Sequence, residues 1–223
     1  MHMDALTEGT IIAKRVARPS KMLPMRPGSR SDADGKAVSN LILLSLPDKE
    51  YNLLRPHLEA VDLPQYKILQ EPGEKIEFAY FLNDGMTSLV ALSHDGRSVE
   101  VGIVGKEGMV GMSLTAGLKH EIFRAIMQMS GCGMRMRSDV FQDVLLGSPS
   151  LRSNLSHFGL MHGLQVAQLA ACNRLHGIDQ RLARWLLMCQ DRFDAQLLPL
   201  THDFLAQMLG TGRPSVSLAA GVL

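Results

Sequence analysis

The sequence predicts an α+β protein: a β-roll (a double-stranded β-helix, or cupin-like jelly roll), then a long dimerisation helix and a truncated helix-turn-helix domain. Three observations predict it. Short apolar or alternating runs separated by turn residues fill residues 63–136, as in a barrel or sandwich. The hydrophobic period then becomes helical over residues 148–175. Residues 201–223 finally read as two short helices around a tight turn.

Composition bounds the class of protein. The chain has 223 residues, 46% of them apolar and 20% charged, and a net charge of +1. These values are typical of a globular protein. A DNA-binding protein with so small a net charge would have to concentrate its positive charge locally. With no long apolar run and no secretory signal pattern, we expect no membrane segment and a cytoplasmic location. The three scattered cysteines indicate reduced thiols rather than a disulfide framework or a cluster site: Cys132, Cys172 and Cys189.

Residues 1–38 predict a flexible N-terminal arm, because they are rich in Pro, Ser, Gly and charge. A solvated tail is the favoured interpretation. An arm that touches DNA phosphates is the alternative, since basic side chains are spread through it. They are Lys14, Arg15, Arg18, Lys21, Arg26, Arg30 and Lys36.

Residues 39–147 predict the roll. A short helix pair opens it, with Pro47 and Asp48 at the start of the second helix. Strands follow, and two segments, 83–85 (Asn-Asp-Gly) and 94–97 (His-Asp-Gly-Arg), have the composition of hairpin turns.

Residues 148–176 predict the dimerisation helix. Its first apolar stripe can pack on the roll and consists of Leu151, Leu155, Phe158, His162, Val166 and Leu169. A second stripe remains to be covered and consists of Leu160, Leu164, Ala167 and Ala171. An uncovered stripe suggests a partner helix, most simply from a symmetric copy. A helix buried entirely inside one chain is the alternative.

Residues 177–223 predict the incomplete winged helix-turn-helix domain. A helix from Ile178 comes first. Leu205, Ala206 and Leu209 then give the next helix an apolar face, and Gly210 sits where a left-handed or crowded backbone is easiest. The recognition helix should begin near Gly212.

This order of elements resembles the Crp/Fnr family of bacterial transcription regulators, from about Leu41 to Leu223. The residues that carry the resemblance are Gly73-Glu74, the turn at 83–85, the glycine-punctuated segment 105–111, the long helix and the segment LTHDFLAQMLGTGRPSVS. The resemblance implies a cyclic-nucleotide-binding-like roll, a coiled-coil dimer helix and a C-terminal winged helix. It implies that a signal in the roll shifts the dimer helices and re-aims the recognition helices. The partners it implies are a palindromic DNA operator, a second copy of the chain and RNA polymerase.

The family resemblance also indicates where an effector would bind. Nucleotide-binding members carry a Gly-Glu pair and, about ten residues on, an Arg; here the pair falls on Gly111-Met112 and the Arg on Glu121 or Ile122. Methionine cannot accept the ribose hydroxyl, and a glutamate would repel the phosphate. We therefore expect an unknown effector, not a cyclic nucleotide bound in the usual way. The candidate pocket residues are Gly73, Glu74, Gly111, Met112 and Arg124, the last of which could replace the Arg only in a shifted register.

No metal or other cofactor is expected. The most closely spaced histidines of the long helix, His157 and His162, lie five positions apart, which turns their rings well away from each other on a helix. Surface or interface histidines are the simpler interpretation.

The DNA-binding candidates are Thr211, Arg213, Ser215 and Ser217. They fall in or before the first turns of the recognition helix, which enter the major groove in this motif. Arg213 can reach guanine O6 and N7, although an exposed turn arginine is its alternative interpretation. The segment 177–223 carries four arginines and four aspartates, so its charge adds little affinity for DNA. The family's wing hairpin would follow Leu223.

Three functions compete. The leading hypothesis is a dimeric DNA-binding transcription regulator. The alternative is a DNA-binding-defective regulatory or dimerisation module that sequesters full-length relatives. An enzyme is the weakest hypothesis, because no Walker lysine loop, Gly-x-Ser-x-Gly elbow or His-Glu-x-x-His helix is present, and no catalytic residue can be named.

Overall fold

The computed structural model describes residues 29–94, 98–192 and 200–222. Most of the predicted N-terminal arm, residues 1–28, lies outside these ranges. Its last part is ordered: residues 30–31 and 37–38 form a small antiparallel hairpin, and Arg30 donates hydrogen bonds to the carbonyls of Leu43 and Leu46. A regular hairpin therefore precedes the predicted start of the roll.

Nine strands occur in the described residues, and every pairing between them is antiparallel. They are β1 (Arg30–Ser31), β2 (Ala37–Val38), β3 (Glu59–Leu63), β4 (Ile68–Gln70), β5 (Phe78–Leu82), β6 (Met86–Leu92), β7 (Ser98–Val104), β8 (Arg124–Met129) and β9 (Gly131–Arg137). Apart from the β1–β2 hairpin, they form a three-stranded sheet, β3-β9-β5, and a four-stranded sheet, β4-β8-β6-β7. This arrangement gives the predicted roll.

The two predicted hairpin turns have different outcomes. Strands β6 and β7 pair with each other, which agrees with a hairpin connection after His94, whereas residues 95–97 of the predicted turn lie outside the described chain. The prediction of a hairpin at 83–85 is wrong, because β5 pairs with β9 and β6 pairs with β7 and β8. Gly85 does have a positive φ of 82°, but the tight turn carries the chain from one sheet to the other.

Seven α-helices occur in the described residues: α1 (Leu41–Leu44), α2 (Asp48–Leu54), α3 (Ser138–Leu146), α4 (Pro149–Leu175), α5 (Ile178–Arg192), α6 (His202–Leu209) and α7 (Arg213–Ala220). Short 3₁₀ turns cover 55–57 and 112–116. None of the described helices is both long and apolar enough to cross a bilayer.

Helix α4 is anchored at its N-terminus by a side chain from another helix. Pro149 opens the helix, where a missing N–H costs nothing. The next two amides, of Ser150 and Leu151, donate to the two carboxylate oxygens of Glu50 in α2, each at 3.1 Å. A carboxylate is favourable there because it satisfies orphan donors and meets the positive end of the helix dipole.

The first stripe of α4 faces the roll of its own chain. Leu151 and Leu155 are fully buried in the core that also contains Phe81 and Phe141, and Phe158 packs on its margin. The second stripe is solvent-exposed: 62% of Leu160 and 56% of Leu164 remain accessible. Burial of the whole helix inside one chain is therefore excluded. The residues that can meet a partner belong to the second stripe, not to the first.

Helices α5 to α7 pack on the four-stranded sheet. Their buried residues share one apolar cluster with Met86, Ile103 and Met129 of the roll. One face of α5 points inward: Leu182, Trp185, Leu186 and Cys189 are buried, and Ile178 packs at the edge. The helix-turn-helix unit is thus held against the roll.

Candidate nucleic-acid interface and effector cavity

Helices α6 and α7 and the turn between them form a helix-turn-helix. Thr201 caps α6 by accepting a hydrogen bond from the Phe204 amide. Gly210 adopts a left-handed φ of 60°, as its place in the turn requires, and the Thr211 amide then donates to the Ala206 carbonyl at 2.9 Å. The chain re-enters a helix at Arg213.

The packing of α7 decides which of its side chains face outward. Val216 and Ala219 are buried against the neighbouring helices. The opposite face carries Arg213, Ser217 and Leu218, all of which are exposed. This exposed polar start is the part of a recognition helix that can enter a groove.

The four DNA-binding candidates lie close together in and just before α7, but they differ in solvent exposure and in their contacts with other side chains. Arg213 is largely exposed, and its Nε lies 3.6 Å from a carboxylate oxygen of the equally exposed Asp203. The Ser217 hydroxyl is 2.9 Å from Nδ1 of His202. Thr211 and Ser215 are half-buried.

His202 and Asp203 are part of this surface, yet sequence reasoning missed them. They stand at the start of α6, and only the close packing of the two helices brings them beside Ser217 and Arg213. The pairing of a first-helix residue with a recognition-helix residue leaves no periodic signal in the sequence.

The other arginines of the C-terminal unit are engaged in the fold. Arg181 donates to the Leu209 carbonyl, Arg184 reaches the Gln165 carbonyl, and Arg192 pairs with Glu107 at 2.6 Å. Of the four arginines in the segment, Arg213 is therefore the one most available to a ligand.

A cavity of about 180 Å³ lies between the roll and α4. Its wall is mainly apolar, and the side chains that form most of it are Leu89, Val104, Met112, Ile122, Phe123 and Phe158. Gly111 takes a left-handed φ of 99° at the start of the 3₁₀ turn 112–116, which lets the turn close over the cavity.

Two of the five predicted pocket residues, Gly111 and Met112, line this cavity. The other three do not. Gly73 and Glu74 are exposed in the turn before β5. Arg124 is held outside by an ion pair with Glu71, with 2.9 Å between Nε and Oε2. The motif spacing placed these residues near the cavity in sequence but could not show which way each points.

Polar groups of the cavity wall come from residues that were not predicted to bind a ligand. The Ser113 hydroxyl donates to the Glu121 carboxylate. Gln70 lies on the wall and is buried. His162, predicted in the stripe of the long helix that packs on the roll, lines the cavity, and burial together with the positive charge of Arg192 lowers the pKa of its imidazole. Three or more potential metal ligands do not cluster anywhere in the described chain.

Comparison with known proteins agrees with this architecture. The family model of the Crp-like helix-turn-helix domain matches residues 180–223. None of the curated proteins matches the sequence. Among solved structures, the chain is similar to the c-di-GMP-responsive global regulator CLP of Xanthomonas campestris, with a TM-score of 0.66 and 16% identity over 79% of this chain and 91% of that one.

Two further structures are similar over most of their length. FixK2 of Bradyrhizobium japonicum gives a TM-score of 0.65 at 14% identity, over 74% of this chain and 84% of that one. A CRP-family transcriptional regulator of Thermus thermophilus gives a TM-score of 0.60 at 18% identity, over 73% of this chain and 83% of that one.

The roll, the long helix and the helix-turn-helix define the fold: a β-roll joined through a long helix to a segment that matches the Crp-like helix-turn-helix domain. The predicted resemblance is confirmed, since the chain has the fold of Crp/Fnr transcription regulators and its C-terminal segment is a Crp-like helix-turn-helix domain.

Proposed function

We propose that the chain is a dimeric, cytoplasmic transcription regulator that binds a palindromic DNA operator. It is not an enzyme, and its signal is not a cyclic nucleotide bound in the family's usual way. The predicted division of the chain supports this role, with the roll at 39–147, the dimerisation helix at 148–176 and the DNA-binding unit at 177–223. RNA polymerase is the further partner that a regulator of this type would meet.

The observation that carries the proposal is the start of α7. Arg213 and Ser217 lie on the exposed face of a helix that begins directly after the tight turn, within the segment that matches the Crp-like domain. The guanidinium fork of Arg213 suits the O6 and N7 acceptors of a guanine, and Thr211 suits a phosphate. Discrimination between DNA sequences would have to come from specific contacts rather than from net charge, because the other arginines of the unit are bonded within the protein.

The exposed stripe of α4 supports a dimer. Leu160, Met161 and Leu164 form a row of large apolar side chains at helical spacing on a helix whose other face is already packed. A second copy of the same helix covers such a row symmetrically. Two recognition helices would then read half-sites about 34 Å apart.

The chemistry of the cavity supports a signal other than a cyclic nucleotide. The two family positions that would hold the ribose and the phosphate are Met112 and Glu121 or Ile122, and all three side chains line the wall. Of the described residues that line it, none is a lysine or arginine, so a cyclic phosphate would face the Glu121 carboxylate without a compensating cation. The mainly apolar wall suits a small uncharged molecule.

Selection of DNA from a random library tests the DNA-binding role. We expect one enriched palindrome whose half-sites are separated by one helical turn, and a footprint over both half-sites. A chain that dimerises but enriches no sequence would overturn the proposal and favour the DNA-binding-defective module.

Calorimetry tests the signal. Titration with cyclic AMP and cyclic GMP should give no heat of specific binding, whereas an uncharged aromatic probe such as indole should raise the melting temperature. Micromolar binding of either nucleotide would contradict the assignment of the cavity but would leave the DNA-binding role standing.

A further inference from the structure

A buried ionisable group lies between the roll and the helix-turn-helix unit. Glu100 of β7 is only 5% exposed, although its strand neighbours Val99 and Val101 are more accessible. It sits where α5 covers the four-stranded sheet, beside the apolar cluster that joins the two parts. A carboxyl group in such a place needs partners for both oxygens.

Both partners are present, and they come from different parts of the fold. Oε1 of Glu100 accepts a hydrogen bond from Nε1 of Trp185 in α5 at 2.7 Å. Oε2 is bonded to the Ser88 hydroxyl of the adjacent strand β6. The Trp185 ring packs edge-on against Phe204 of α6, with 5.9 Å between ring centroids. One carboxyl of the roll therefore fixes the indole around which α5 and α6 pack.

The charged and titratable groups around Glu100 come from α4 and α5. Helix α5 presents Arg181 and Arg184 across a small cavity, and also Arg192 and the buried thiol of Cys189. Helix α4 presents His162, which lies on Gly102, and Cys172. The guanidinium of Arg192 is itself bonded to Glu107, so its charge is shared between two carboxyl groups.

We propose that Glu100 and Trp185 form a proton-dependent latch that docks the helix-turn-helix unit on the roll. A neutral carboxyl can donate its O–H to Ser88 while it accepts from Trp185, so all its polar atoms are satisfied. An ionised carboxyl loses its hydration on burial, and the two hydrogen bonds and the charge of Arg192 do not fully offset that loss, so ionisation weakens the docking.

The direction of the pH dependence follows from the surroundings of Glu100. Burial raises its pKa to about 7, although the hydrogen bonds from Ser88 and Trp185 and the charge of Arg192 oppose the shift. When undocking exposes the Glu100 carboxyl to water, its pKa should return to about 4.5. The stabilisation of the docked state is therefore complete below pH 4.5 and is lost as the pH rises through 7. Between pH 8 and pH 6 the docking equilibrium should shift by about tenfold toward the docked state.

Docking matters for the recognition helix α7 because α6 and the turn that precedes α7 lie against the same sheet of the roll. Nε2 of Gln207 in α6 donates to the Ser98 hydroxyl of β7 at 3.1 Å. Thr211 and Gly212 line an open cleft of about 1080 Å³ whose far side is the end of β6 and the start of its hairpin, residues 92–94. Release of the latch would change what surrounds these residues.

The single tryptophan of the chain, Trp185, makes the latch directly measurable. Its fluorescence should titrate with a midpoint near pH 7, shifting to longer wavelength at high pH as the indole becomes wet. Hydrogen exchange of β7 and α6 should speed up over the same range, relative to the Glu100→Gln variant at each pH. Glu100→Gln, a neutral side chain of the same shape, should stay docked and show a flat fluorescence profile.

Two further variants separate the latch from a general effect of pH. Glu107→Gln frees the guanidinium of Arg192, whose charge favours the ionised form of Glu100, and should move the Trp185 midpoint to lower pH. Ser88→Ala removes a hydrogen bond that favours the charged form and should move the midpoint to higher pH. A pH-independent Trp185 signal, a titration that survives in Glu100→Gln, or a fluorescence change without faster exchange would each overturn the latch. None of these results depends on whether the chain binds DNA.

Discussion

Gly108 of the roll lies directly beneath the ring of Phe158 in α4, so closely that a Cβ at Gly108 would overlap Cζ of the ring. One turn along α4 the same relationship recurs, because a Cβ at Gly102 would be 2.6 Å from Nε2 of His162. The two rings are neighbours, with 5.8 Å between centroids. Two glycines thus let the long helix approach the roll closely enough for its rings to form one wall of the cavity.

Replacement of Gly108 by Ala should destabilise the fold, because the new methyl group would overlap the Phe158 ring. We expect a loss of about 1–3 kcal/mol in the free energy of unfolding, the usual cost of overpacking a core. Urea denaturation followed by circular dichroism measures it. The double variant Gly108→Ala, Phe158→Leu should recover part of the loss, since the smaller side chain makes room.

Gly163 of α4 provides the matched control. Nothing lies within 4 Å of the position where its Cβ would be, and it sits in the middle of a helix. Gly163→Ala should therefore stabilise the chain by about 0.5–1 kcal/mol. If both alanine variants lost stability equally, the close approach at Gly108 would not be the cause.

The sequence predicted the helices other than α3, which lies between the predicted strand block and the predicted long helix, but it did not predict what the helices contact. The period of three and four residues predicts α4 to within one residue of its observed start, and Gly210 predicts the turn before α7. The stripe of α4 that contains Phe158 and His162 packs on the roll as predicted, but a periodic stripe does not show that these two rings line a cavity there. Their true neighbours are glycines of the roll, which leave no apolar signal.

Long-range pairing explains the other differences. The turn at 83–85 has hairpin composition because Gly85 needs a positive φ, yet the partner of β5 is β9, some fifty residues further along the chain by the register Leu82 to Gly133. Glu100 stands in an alternating strand, where a carboxylate normally faces water. Its burial comes from Trp185, 85 positions away, which no local pattern reveals.

The contact of Glu50 with α4 predicts a loss of stability in acid. Burial works against the charged carboxylate, but hydrogen bonds from Ser150 and Leu151 outweigh it and hold the pKa of Glu50 below its usual value of 4.5. The stabilisation is therefore present above pH 4.5 and is lost as the pH falls through the lowered pKa.

The Glu50→Gln variant should be less stable than the parent chain at pH 7 by about 1 kcal/mol, the usual value of a helix cap. The difference between the two chains should shrink as the pH falls through the lowered pKa of Glu50, because the parent carboxyl then becomes neutral as well. Urea denaturation at a series of pH values measures this difference. A gap that stays constant down to pH 2 would mean that the charge of Glu50 contributes nothing.

The exposed stripe of α4 predicts the residues that hold the dimer together. A double change of Leu160 and Leu164 to Glu places charges where the partner helix should pack, and burying unpaired charge is costly. Light scattering coupled to size-exclusion chromatography should show a dimer for the parent chain and a monomer for the variant. Leu146→Glu, at an equally exposed leucine at the end of α3, should remain dimeric. If both variants had the same oligomeric state, the exposed stripe would not be the dimer interface.

Arg213 is the side chain on which sequence reading by α7 should depend. Arg213→Ala should weaken binding to the selected operator by about 1–3 kcal/mol and relax the preference at one base pair of each half-site. Fluorescence anisotropy on the operator and on a variant with that base pair changed measures both effects. Arg174→Ala, at an exposed arginine near the end of α4, serves as the control and should change affinity little.

A lysine at position 213 separates the two roles that the arginine could have. Lysine keeps the charge but lacks the planar fork that pairs with guanine O6 and N7, so a base contact should be lost while a phosphate contact should be kept. We expect Arg213→Lys to bind the operator almost as weakly as Arg213→Ala does, while its affinity for random DNA stays near that of the parent. Full operator affinity in Arg213→Lys would assign Arg213 to the phosphate backbone, and base reading would then have to come from Ser215 and Ser217.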